Sequence, residues 1–119
     1  MRPVNASVLS GADTISVNGS SIVADQLVSA SFQATFGDTT AAGAIQIQAS
    51  NDIPPAGNVP ASFTPTNWSN ITGATSTVTA GVAPLILITS VCYRWMRVSY
   101  TSTTPGTSTM NVIMFAFGV

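Results

Sequence analysis

An all-β fold, a single-domain antiparallel β-sandwich or jelly roll of seven to eight strands, is what this sequence predicts. Three observations carry the expectation. Stretches in which β-branched or aromatic residues alternate with small polar ones recur along the chain, no stretch places apolar residues at helical spacing, and turns bearing Gly or Pro separate the alternating stretches. With 119 residues the chain has the size of one domain and can bury a core without covalent staples.

Taken in order, residues 1–13 are expected to form an N-terminal arm that serves as a contact segment, and residues 14–119 the sandwich. Residues 14–18 read as a first strand, closed by Gly19-Ser20-Ser21. In the next, Val28, Ala30, Phe32, Ala34 and Phe36 share one face and Ser29, Ser31, Gln33 and Thr35 the other, so the first set is assigned to the core. After a turn over 37–43, residues 44–50 return with Ile45, Ile47 and Ala49 inward and the glutamines outward, which predicts a hairpin between these two strands. Residues 51–67 carry Pro54, Pro55, Pro60, Pro65 and Gly57 and predict a long ordered loop, of the kind that carries function or contacts. Order resumes at 68–71, and residues 75–80 give a short strand ended by Gly81. Residues 85–89, apolar on both faces, predict a strand covered on each side. Residues 93–101 alternate again, Thr103-Thr104-Pro105-Gly106 predicts a type II turn, and 109–117 is expected to pair back on 93–100 as a closing hairpin.

Hydrophobic residues make up 45% of the chain, but charged residues only 6%, where about a quarter is typical. Soluble monomers rely on scattered charge, so such depletion points to a membrane, a fibre, or a surface covered by neighbouring subunits. The apolar run over 83–88 contains Pro84 and falls far short of the roughly 20 residues of a spanning helix. Residues 1–7 show no apolar signal-peptide core, so no secretory signal is expected. Dense packing among protein copies is the remaining expectation, with a surface of Ser, Thr, Asn and Gln that loses less than charge does when a partner covers it.

The ionisable side chains are Arg2, Arg94 and Arg97 with Asp13, Asp25, Asp38 and Asp52; Lys, Glu and His are absent. Three arginines make a poor footprint for nucleic acid, so none is expected as a partner. General acid–base or nucleophilic catalysis lacks a suitable base, and the chain reads as non-enzymatic, with no catalytic residue and no cofactor. Asp13 and Asp38 sit in turns, where Asp bonds nearby amides. A calcium site from Asp38, Asn51 and Asp52 is chemically allowed but lacks the spacing of a dedicated loop, and no metal is expected. Cys92 excludes an internal disulfide, and its Val91 and Tyr93 neighbours predict a buried thiol. The sequons at Asn5, Asn18, Asn67 and Asn70 are what a chain rich in Asn, Ser and Thr produces by chance.

Aromatic residues Phe63, Trp68, Tyr93, Trp95 and Tyr100 fit a core or an interface better than a sugar platform, because aromatic rings bury the most area. Arg94 and Arg97, three apart on a strand, point to opposite faces, one toward the domain and one toward a partner. Phe63, Trp68, Arg94, Trp95 and Arg97 are the candidate interface or glycan contacts.

The runs Ile45-Gln46-Ile47-Gln48-Ala49-Ser50-Asn51-Asp52, Pro65-Thr66-Asn67-Trp68-Ser69-Asn70-Ile71 and Tyr93-Arg94-Trp95-Met96-Arg97-Val98-Ser99-Tyr100 together resemble a motif set of small bacteriophage virion proteins. The same order is similar to discoidin domains of the coagulation-factor type C group, which are β-sandwich jelly rolls whose spikes bind sugars or lipids. The strand motifs match those domains better than the spikes do, so the fold carries over more safely than the ligand. The phage resemblance implies a structural component of the virion: a capsid decoration or cement protein on the capsid surface, or a head fibre or tail component. Its implied partners are other copies of itself, a trimer among the options, and a major capsid protein. A carbohydrate-binding host-adhesion module contacting a host glycan is the alternative, and a coat subunit a third.

Overall fold

Strands with one apolar and one polar face are stable when two sheets bury their apolar faces against each other. The computed structural model describes residues 2–54 and 63–118, and among them this pattern yields nine strands: β1 (Arg2–Ala12), β2 (Val17–Asn18), β3 (Ile22–Val23), β4 (Leu27–Phe36), β5 (Ala42–Ser50), β6 (Ser69–Val78), β7 (Ile86–Ile88), β8 (Trp95–Thr104) and β9 (Thr109–Gly118). They form two antiparallel sheets, a first of order β1-β9-β4-β7 and a second of order β2-β8-β5-β6 with β3 also on β8. The fold is an all-β sandwich.

β2 and β3 lie in succession along β8, from Val17↔Tyr100 to Val23↔Trp95, and Gly19 N–H donates to Val98 O between them at 2.7 Å. They are one strand interrupted at 19–21. Counted so, eight strands lie four to a sheet, and every consecutive pair except β5–β6 crosses from one sheet to the other. This is the strand order of a jelly roll, two interleaved Greek keys.

That order replaces both expected hairpins. β4 and β5 belong to different sheets, as do β8 and β9. Alternation shows which face of a strand is buried but not which strand lies beside it. Gly106 has none of the positive φ that a type II turn needs at this position, so 105–108 runs as a crossover. The tight turn is elsewhere: Thr79 and Val82 exchange backbone hydrogen bonds of 2.9 and 3.0 Å around Ala80 (φ 53°) and Gly81 (φ 74°), a left-handed pair suited to a two-residue loop.

The division at residue 13 is also replaced. Residues 2–12 are not an arm but an outer strand of the first sheet, in register with β9 from Arg2↔Gly118 to Ala12↔Thr109. A bulge between Ser7 and Leu9 puts Val8 and Leu9 consecutively into the core, which breaks the alternation that would have marked the strand. A second bulge, between Leu27 and Ser29, moves Val28 out to solvent and gives its inward place to Leu27. β7 is an edge strand covered on one face: Ile86 and Ile88 are buried while Leu87 is 66% exposed. The first predicted strand shrinks to Val17–Asn18, and Cys92 is exposed rather than buried.

Between the sheets, Phe32, Met110, Val112 and Met114 meet Ile45, Ile47, Met96, Val98 and Tyr100, and the Phe36 and Tyr100 rings pack 5.7 Å apart. β6 departs from regular pairing opposite Ile47, where its register jumps from Thr75 to Asn70 and Gly73 (φ 81°) helps turn the bulge. The Gln46 side chain fills the gap, its amide nitrogen donating to Ile47 O (2.7 Å), Ile71 O (3.1 Å) and Ala74 O (3.1 Å). Gln46→Leu leaves these half-buried carbonyls unpaired and should cost about 1–3 kcal/mol in urea unfolding with an unchanged β circular dichroism spectrum; wild-type stability would show that the bulge holds itself.

Candidate functional site

The candidate residues gather where the chain leaves β5. Ser50, Asn51 and Asp52 each close a backbone contact there, which fixes the entry and exit of the proline loop. Asp52 N–H donates to Ser50 Oγ (3.2 Å), Asn51 Oδ1 accepts from Arg94 N–H (2.9 Å), and Asp52 Oδ2 accepts from the amides of Thr66 (2.8 Å) and Asn67 (3.0 Å). Asn67 Nδ2 completes the set on Asp52 Oδ1 at 2.9 Å. These bonds, led by those from Asn67, hold the Asp52 carboxyl below its ordinary pKa.

The aromatic candidates divide into two pairs around this clasp. Trp95 donates its indole N–H to Asp52 O at 3.1 Å and packs against Phe63 at 5.6 Å between ring centres. It is 1% exposed, so its ring anchors the loop and offers no face to a ligand. Trp68 donates to Pro65 O (3.2 Å), and the Arg97 guanidinium lies 4.5 Å above its ring, in cation–π range. Arg97 Nε donates to Gln48 Oε1 (2.7 Å), and Gln48 passes the chain on to Asn70 Oδ1 (2.9 Å). Burial lowers the Arg97 pKa from the ordinary arginine value. Arg97 is therefore the arginine that stacks within the domain. Arg94 engages through its backbone, its carbonyl accepting from Ala24 N–H at 2.8 Å. Residues 55–62 of the proline loop lie outside the described residues.

Beside the clasp lies a depression of about 510 Å³ whose lining includes Tyr93, Asn51, Asn67, Asn70, Ser69 and Thr72. Asn51 and Asn67 each have one polar side-chain atom committed to the clasp and Asn70 has one bonded to Gln48, and the other polar side-chain atom of each has no hydrogen-bond partner among the described residues. Fixed neutral amides and hydroxyls next to an aromatic ring can bind a neutral polar ligand, but they supply no acid or base. Tyr93 and these asparagines were not singled out together from the sequence; the sequons at 67 and 70 are the trace they leave there.

Asp25 is exposed near Asn51 and Arg94, whereas Asp13 and Asp38 sit at the opposite end of the strands and also hold loops. Asp13, fully buried, accepts from Ser108 N–H through Oδ1 (2.9 Å). Asp38 accepts from Thr107 N–H (2.6 Å), Thr40 N–H (3.1 Å) and Ala41 N–H (3.3 Å). No group of three or more His, Cys, Asp or Glu that could hold a metal comes together among the described residues. The backbone hydrogen bond from Thr107, the largest cause, lowers the Asp38 pKa from 3.8 to about 2.

No family model matches the sequence, and no curated protein matches it. Among solved structures, the crystal structure of the SPBc2 prophage-derived protein YomS is similar over 98% of this chain and 95% of that one, with a TM-score of 0.55 and 13% sequence identity. At that identity the likeness is one of fold.

Two measurements test these assignments. Asp52→Ala should speed hydrogen exchange at the Thr66 and Asn67 amides while core amides keep their protection; equal rates would show that the clasp does not hold the loop. For Asp38 the folded pKa lies below the unfolded one, so its contribution is complete above about pH 4 and lost as pH falls toward 2. The melting temperature of the wild type should therefore drop more steeply over that interval than that of Asp38→Asn, and parallel curves would refute the role.

Proposed function

We propose that this protein is a non-enzymatic structural component of a bacteriophage virion, a decoration or cement protein that sits on the capsid surface and strengthens it through contacts with a major capsid protein and with its own copies. The observation that carries the reading is the surface: a jelly roll in which 6% of residues are charged and in which Asp13, Asp38 and Asp52 hold the protein's own loops. A shell protein adds area across subunit joints, and contacts free of charge avoid the desolvation cost that buried ions incur. Two further points support it. Jelly rolls recur in viral capsids and in lectins, and the similar solved structure is described as prophage-derived. Both are arguments by analogy of fold. The contact role assigned to residues 1–13 passes to the open edge of β1, whose outward N–H and C=O groups can take an added strand.

Quantitative mass spectrometry of gradient-purified particles tests the proposal. The protein should be present at a fixed ratio to the shell subunit, and particles lacking it should rupture at lower temperature. Its absence from particles would overturn the reading. A second reading, a host-adhesion module that binds glycan, is favoured by the amide-lined depression at Tyr93. It expects glycan-array binding that Tyr93→Ala abolishes and Trp95→Phe leaves intact, since the Trp95 ring is buried.

A further inference from the structure

The outer face of the first sheet carries an uncovered apolar stripe. Along β9, Ile113, Phe115 and Phe117 point away from the core and are 41%, 42% and 38% exposed, and the Phe115 and Phe117 rings meet edge to face at 5.2 Å. The register widens the stripe: Phe115 pairs with Ser31, which pairs in turn with exposed Leu87, and exposed Val28 sits at the bulge next to the Ser29↔Phe117 pair.

The polar residues around the stripe are Asn5, Ser7, Ser29, Ser31, Gln33 and Thr35, none of them ionisable. Several are already satisfied within the sheet. Ser7 Oγ donates to Asn111 Oδ1, Ser31 Oγ to Phe115 O (3.3 Å) and Thr35 Oγ1 to Asn111 O (3.3 Å). Covering this face therefore strips water from no charge, and leaves Asn5, Ser29 and Gln33 as the polar side chains to pair across it. An organised apolar patch of this kind marks a contact site.

We infer that this face binds a second copy of the same chain, sheet against sheet, about a two-fold axis passing close to Phe115. A partner must present a flat, uncharged β surface, and this chain, with three basic and four acidic residues in 119, presents one. The stripe is built for self-pairing: Phe115 lies at its centre, so an axis across the strands sets Phe115 against Phe115 and Ile113 against Phe117. The area suffices. Strands of 11, 10, 10 and 3 residues, rising about 3.3 Å per residue and about 4.8 Å apart, give a face of roughly 540 Å², so two copies bury about 1,100 Å², at the threshold of a specific interface. Aligned packing of two sheets about 10 Å apart brings the rings into contact. The inference does not rest on the virion reading.

Sedimentation equilibrium of the full chain at micromolar concentration tests it. The wild type should be dimeric. Phe115→Glu, which faces one carboxylate with another in an apolar setting, should weaken association more than about 100-fold. Phe115→Ser serves the same purpose if the charged variant fails to fold, and β circular dichroism checks folding in both. A monomeric wild type, or a folded Phe115→Glu variant that stays dimeric, would overturn the inference. So would a monomeric wild type whose Phe115→Glu variant loses particle binding, because the face then belongs to another shell protein. A dimer never recovered with particles would defeat the virion reading and leave this one standing.

Discussion

Two aspartates from different crossovers grip one loop and tie the sheets together at that end. The crossover at 105–108 links β8 and β9, and each of these is an interior strand of its sheet, β8 between β2–β3 and β5, β9 between β1 and β4. Asp13, from the crossover after β1, grips the Ser108 amide, and Asp38, from the crossover after β4, grips the adjacent Thr107 amide. Three inter-sheet connections thus meet at one end, fastened by carboxylate-to-amide bonds that need no cationic partner. Gly106 lets the loop approach so closely: a Cβ at that position would fall on the Asp13 carboxyl.

The other end is closed by different chemistry. There the proline loop is held by Asp52, by the Trp95 indole and by the Arg97–Trp68 stack. The residues that look most like ligand contacts in the sequence are used largely for this closure, and the polar depression at Tyr93 is what the closure leaves open. The two outer faces of the sandwich consequently differ, with amides and a capped tryptophan on the second sheet and an apolar stripe on the first.

Local pattern made the inward faces of β4 and β5 legible, because a period of two survives wherever the ladder is regular. It failed at the bulges, where Val8 and Leu9 are buried in succession and Val28 turns outward. It also could not name neighbours, and both expected hairpins are crossovers for that reason. The site was half legible. Phe63 with Trp95 and Trp68 with Arg97 do come together, but the burial of Trp95 depends on a loop folded over it, which no local signal encodes. The outer stripe had a signal in the nearly unbroken apolar run 112–117, the mark of a strand covered on both faces.

The position of β9 has a consequence for how the chain is made. β9 is made after the other eight strands, yet it lies between β1 and β4 and pairs with both along nearly its whole length. The first sheet cannot close before β9 is made: until then β1 waits without its neighbour and Leu9, Phe32 and Ile86 lack the methionines that cover them. A topology in which β1 must find β9 folds slowly, and it leaves open strand edges exposed to aggregation in the interval.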